Sequence, residues 1–96
     1  MTATRDAAPT ALTPRRDRLH RPLVRLARGD RRQCGEIYDL SVSPVLRLSL
    51  ARVRGDQAEA EELVRRTYVE VARRAGEYPL SGMRPLTWVL GIAGGV

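Results

Sequence analysis

The chain has 96 residues, 17 of them arginine and none lysine, against 11 acidic residues, for a net charge of +6. That length allows one small domain of marginal stability. It leaves no apolar run near the roughly 20 residues of a membrane span, and the first residues lack the apolar core of a secretory signal. The single cysteine, Cys34, excludes an intrachain disulfide and suits a reducing cytoplasm, where we expect the protein to reside. With no Phe, one Trp and three Tyr, the core has to be built from Leu, Val, Ile and Ala, which favours helices packed through small residues. The charge is uneven. Residues 19–54 hold eight arginines against three acids, whereas residues 55–77 hold four arginines against six acids. A basic surface and an acidic helix are therefore separate features, and the basic one favours an anionic partner.

In chain order, residues 1–18 are rich in Ala, Thr, Pro and charge without period and read as a disordered basic tail. Residues 19–96 form the domain. A short helix is expected from about His20 to Arg28, with Pro22 near its first turn and Leu19, Leu23, Leu26 and Ala27 apolar. Gly29 ends it, and Asp30 opens the next helix with Gln33 in the capping-box position. That helix carries Ile37, Tyr38 and Leu40, and Pro44 is expected to kink or restart it. Its continuation, with Val45, Leu46, Leu48, Leu50 and Val53, is apolar on more than one side and is read as the central, most buried helix.

The stretch Gly55 to Glu77 carries both of its helix ends in the sequence. Gly55 can take the left-handed conformation that closes the preceding helix, Asp56 can cap the next, and Glu59 stands three residues on. Acids fill the first turns and Arg73 and Arg74 the last, as the helix dipole favours. Gly76 is expected to stop it. Ala60, Leu63, Val64, Tyr68, Val71 and Ala75 recur at three- and four-residue steps and give one apolar face. Tyr78 to Met83 reads as a loop. Pro85 starts a last helix over Leu86 to Ala93, ended by Gly94 and Gly95. Helices alone, joined by short connections, imply an all-α fold, a small bundle of four to five helices.

The residues offer no chemistry of their own. His20 stands alone and reads as a surface residue, and Cys34 reads as a small core filler. No carboxylate pair, nucleophile–base set, phosphate loop or metal cluster stands out, so no enzymatic activity, cofactor or metal is expected. Gly91, Gly94 and Gly95 follow no strand and open no helix, so they are not a dinucleotide motif.

The order ARGDRRQCGEIYD, a Pro-interrupted apolar helix, GDQAEAEELVRRTYVEVARRA, then a tyrosine, a loop and LTWVLGIA resembles bacterial RNA polymerase sigma factors. It is most similar to region two of their extracytoplasmic-function (ECF) group, over roughly Leu23 to Ala93. The resemblance implies a helical bundle that binds the clamp helices of the β′ subunit of core RNA polymerase. It further implies contact with the non-template strand of the promoter −10 element, and regulation by an anti-sigma factor. The implied polymerase-binding residues are Glu61, Glu62, Arg65, Arg66 and Tyr68. On the DNA side, Tyr78 matches the aromatic that opens the promoter-melting loop, and Leu86, Thr87 and Trp88 match the family's Leu-Ala-Trp. Arg73, Arg74 and Arg84 would neutralise phosphates, which makes binding salt-dependent. Tyr78 and Trp88 are expected to stack on unpaired bases, at roughly 1–3 kcal/mol each, with core packing as the competing role for Trp88.

The chain departs from the family pattern at several points. Cys34 stands where the family has Phe, which implies underpacking. Arg65 and Arg66 replace Gln and an acid, a reversal of sign on the docking face. Ala72 stands for Trp, AGGV for a basic run, and nothing corresponds to region four. Two alternatives therefore stand beside a functional region-two domain. One is a truncated remnant that does not initiate transcription alone. The other is a small helix-turn-helix-type DNA-binding regulator, which would bind duplex DNA and ignore the polymerase.

Overall fold

A computed structural model describes residues 18–96, so the predicted tail, apart from Arg18, lies outside the described residues. Arg18 already belongs to the helical turn that leads into the first helix. Five helices follow: α1 (His20–Ala27), α2 (Cys34–Arg52), α3 (Gln57–Arg74), α4 (Tyr78–Ser81) and α5 (Pro85–Gly95). Single 3₁₀ turns at Arg31–Gln33 and Ala75–Glu77 lead into α2 and α4. Among the described residues there is no strand, so the fold is the all-α bundle that the pattern implies.

The seam between α2 and α3 is built from short and β-branched side chains. Ile37, Ser41, Val45 and Ser49 are buried at four-residue steps along α2, and Ala60, Val64, Thr67 and Val71 answer them from α3. Pro44 does not restart α2, which runs through it over 19 residues. The buried stripe lies on both sides of the proline, and packing against α3 and α5 keeps both halves helical at the cost of one ladder bond. α2 is central, since it touches α1, α3 and α5. It is not the most buried helix, however. α5 buries Pro85, Trp88, Val89, Ile92 and Ala93 within 11 residues. Cys34 is half-buried and packs against the core at the start of α2.

The ends of α3 form much as its residues indicate. Gly55 adopts φ +86° and its N–H reaches Leu50 O at 2.8 Å, closing α2. The Asp56 carboxylate accepts from Glu59 N–H at 3.1 Å. At Asp30 the cap is formed differently. Its carboxylate accepts from Arg32 N–H and from the Gln33 side chain, so it caps the 3₁₀ turn, and α2 begins only at Cys34. Gly76 does not stop the chain's winding. The 3₁₀ turn carries it into α4, so Tyr78 to Ser81 is helical rather than a loop, and Gly82 at φ +69° makes the actual break. Arg52 donates to Ala93 O at 2.7 Å, which ties the last turn of α5 to the end of α2.

Candidate binding surfaces

Three surfaces follow from this scaffold. The first is the outward face of α3. Glu62 accepts from Arg65 at 2.6 Å and from Arg66 at 3.3 Å, and these hydrogen bonds, with Arg65 foremost, hold its carboxyl below the usual glutamate range. Gln57 donates to Glu61 at 3.0 Å. Arg73 forks onto Glu70, with its closest contact at 2.7 Å, and Arg74 reaches Glu77 at 3.0 Å. Every arginine of α3 thus has a carboxylate within one helical turn. These exposed pairs are weak in water and open readily to a competing partner.

The second surface is a groove of about 690 Å³ between α2 and α3. Tyr38, Val42 and Leu46 form one wall and Val64, Tyr68, Val69 and Ala72 the other, with Gln57, Glu61 and Arg65 on its rim. Its apolar lining is open to solvent, since Val69 is 53% and Tyr38 43% exposed. The Tyr38 and Tyr68 rings stand 5.0 Å apart. The Tyr68 hydroxyl shares a 2.6 Å hydrogen bond with Ser41 Oγ, which also donates to Ile37 O. Burial pushes the Tyr68 hydroxyl up to about 12. Of the five predicted polymerase-binding residues, Glu61, Arg65 and Tyr68 meet at this groove. Arg66 instead borders a smaller hollow of about 360 Å³ towards the end of α5, and Glu62 stands between Arg65 and Arg66.

Sequence reasoning passed over the groove itself. Tyr38, Val42 and Leu46 repeat at four-residue steps, and Val69 is apolar outside the buried stripe of α3. Those two signals mark an apolar ridge facing an apolar neighbour, and together they could have located it.

The third surface is the end formed by α4 and the start of α5, and here the expectation needs correction. Tyr78 is 4% and Trp88 5% exposed. Their rings meet edge to face with centroids 5.6 Å apart, and the Tyr78 hydroxyl shares a 2.7 Å hydrogen bond with His20 Nδ1. They are not free rings awaiting a base. In a chain with so few aromatics they close the core between α1, α4 and α5, and His20, though on the surface, helps to fix them. What this end does expose is Arg84 and Thr87, together with Leu80 and Met83, which are 89% and 43% exposed. Leu80 and Met83 border a hollow of about 470 Å³ that reaches Trp88 and Gly91. Of the predicted phosphate contacts, Arg73 and Arg74 are paired on α3, whereas Arg84 forms no ion pair among the described residues.

Among the described residues no group of three His, Cys, Asp or Glu side chains could hold a metal ion. No helix among them is long and apolar enough to cross a membrane.

The chain is 37% identical over 79 residues to the ECF RNA polymerase sigma factor SigK of Mycobacterium ulcerans (strain Agy99). The match takes in 82% of this chain and 42% of that protein, so the chain spans less than half the length of the curated relative it matches. No family model and no solved structure matches. The matched residues form an ECF sigma-factor-like region, partial and divergent.

Proposed function

We propose, from the ECF sigma-factor-like region just described, that this domain docks on core RNA polymerase through the groove between α2 and α3 and takes part in transcription initiation. The observation that carries the proposal is the groove. It is an open apolar trough between two long helices, rimmed by Glu61 and Arg65 and floored in part by Tyr68. An amphipathic helix laid into such a trough buries its apolar face and meets charges of both signs at the rim. The β′ clamp helices are the occupant that the resemblance implies. Arg65 and Arg66 both hold Glu62, so the reversal of sign on this face occupies an acid that would otherwise be free to pair with a partner.

The test is a titration of the purified chain with a β′ clamp-helix fragment. Val69→Glu places a charge in the trough at an exposed position and should weaken binding at least tenfold without unfolding the domain. Arg65→Gln with Arg66→Glu should strengthen it. Absence of binding by the wild type and by the double variant would remove the docking reading. A helix-turn-helix regulator would show the opposite pattern, binding duplex DNA and ignoring the fragment.

On the DNA side, the exposed Arg84 and Thr87 are the residues we assign to promoter −10 contact, with Tyr78 and Trp88 supporting them from within. Burial of both rings favours a second reading, a docking module that does not separate promoter strands by itself. Permanganate footprinting of a −10 element, with core polymerase and this chain, distinguishes the two. Reactive thymines support strand opening, and a protected duplex supports docking alone.

A further inference from the structure

We propose that a ridge of arginines on α1 is a sequence-independent anchor for the phosphate backbone of nucleic acid. The proposal deepens the DNA half of the reading above and rests on it. The helix presents two interleaved stripes. Leu19, Pro22, Leu23 and Leu26 are buried, whereas Arg18, Arg21, Arg25 and Arg28, at steps of three and four residues, are all exposed. Those four cations share one face over about 15 Å at 1.5 Å rise per residue. None of them forms an ion pair among the described residues, whereas all four arginines of α3 do.

Two shallow hollows follow the ridge. One, of about 550 Å³, lies along Arg18, Arg21 and Arg25. The other, of about 620 Å³, lies along Arg25, Arg28 and Arg32. They share Arg25 and Gln33 and so lie next to each other beside the start of α2. Two acids face it. Asp30 is engaged by Arg32 and Gln33, and Glu36 stands at one end.

The geometry selects among anionic partners. A membrane surface would require an apolar face beside the cations, and the apolar face of α1 is already spent in the core. A linear row of guanidiniums matches a linear row of phosphates, which they engage in bidentate fashion. The interaction is electrostatic, so it reads no base sequence.

The experiment uses the full chain and a short fluorescent duplex, with affinity measured by anisotropy between about 50 and 200 mM salt. Each phosphate contact contributes about 0.9 to the slope of log affinity against log salt. Arg21→Gln, Arg25→Gln and Arg28→Gln combined should flatten that slope by about 2.7. The wild type should then lose roughly 40-fold more affinity than the triple variant across this range. Arg25→Gln alone should flatten it by about 0.9, and it serves if the triple variant fails to give a helical circular dichroism spectrum. Arg47→Gln removes the same charge from α2 and should change the slope less than Arg25→Gln.

An unchanged slope in the α1 variants, or flattening by Arg73→Gln with Arg74→Gln instead, would overturn the anchor and leave clamp docking untouched. A wild type that fails to bind duplex even at low salt would overturn both the anchor and the DNA half of the proposed function. Displacement of the duplex by polyglutamate at equal charge would mean that the ridge takes acidic protein rather than nucleic acid, and would also overturn it.

Discussion

Tyr68→Phe separates the two things that the Tyr68 hydroxyl does. At neutral pH it removes a 2.6 Å hydrogen bond to Ser41 Oγ, but Ser41 keeps its bond to Ile37 O, so no polar atom is orphaned. The loss should therefore fall at the lower end for a neutral hydrogen bond, about 0.5–1 kcal/mol. At high pH the sign reverses. The folded protein raises the Tyr68 hydroxyl from 10.0 to about 12, mainly through burial. A group whose folded value is raised contributes stability that is complete below its unfolded value and is lost as pH climbs through the folded one. Two units correspond to about 2–3 kcal/mol as an upper bound, drained from the wild type between about pH 10 and 12 and absent from the variant. Urea unfolding followed by circular dichroism at about pH 8 and about pH 11.5 should show the wild type ahead at the first and behind at the second. Tyr78 is also raised by burial, but it is present in both proteins and cancels. Parallel stability curves, with the wild type ahead throughout, would mean that Tyr68 ionises freely and that its hydroxyl is not held between α2 and α3.

Three further outcomes are expected. Ser49→Ala should raise the melting temperature, because Ser49 Oγ is buried without a hydrogen-bond partner. Relief of about 1 kcal/mol corresponds to about 4–8 °C in a domain of this size, and a lower melting temperature would show that the hydroxyl is satisfied. Trp88→Ala should cost about 3–5 kcal/mol in urea denaturation, as for a buried Trp, whereas a change within about 0.5 kcal/mol would mark an exposed ring. Asp30→Asn should keep the cap near neutral pH, since Asn caps as Asp does, yet flatten the acid side of the stability curve. Hydrogen bonds from Arg32 and then Gln33 lower the Asp30 carboxyl from 3.8 to about 2. Its contribution is therefore present above about pH 3.8 and lost as pH falls towards 2. Identical acid unfolding of the variant and the wild type would contradict that arrangement.

The sequence made the local features legible and the tertiary ones less so. Asp56 and Gly55 mark helix ends through bonds made within a few residues and Pro85 through its fixed φ, and each acts where its chemistry indicates. Pro44 misleads because its penalty is local, whereas the burial of Val45 and Ser49 that overrides it comes from α3 and α5. The run from Tyr78 to Ser81 reads as a loop because Pro79 and Gly82 flank so few residues, yet Pro79 sits in the first turn of a helix, where it is tolerated. Ring burial could not be read from spacing. Whether Trp88 faces solvent depends on Tyr78 and His20, the latter 58 residues from Tyr78 along the chain.

The same spacing rule accounts for the two charged helices, and it explains why their roles differ. On α3 the residues three or four positions from each arginine include an acid: Glu62 for Arg65 and Arg66, Glu70 for Arg73, Glu77 for Arg74. On α1 and its flanks no acid stands three or four positions from Arg18, Arg25 or Arg28, and Arg21 has only Asp17 at that spacing, so the row keeps its positive charge. α3, with four arginines against four glutamates, carries no net charge to attract phosphates. An unneutralised row gains from every counterion it releases. The phosphate contacts expected from the sequence are Arg73, Arg74 and Arg84, of which Arg73 and Arg74 already hold carboxylates. The run from Arg18 to Arg28, four arginines with no acid among them, directs the search to Arg21, Arg25 and Arg28 instead. The salt slopes of the α1 variants and of the Arg73 and Arg74 variants decide between a row without acids of its own and arginines that already hold one.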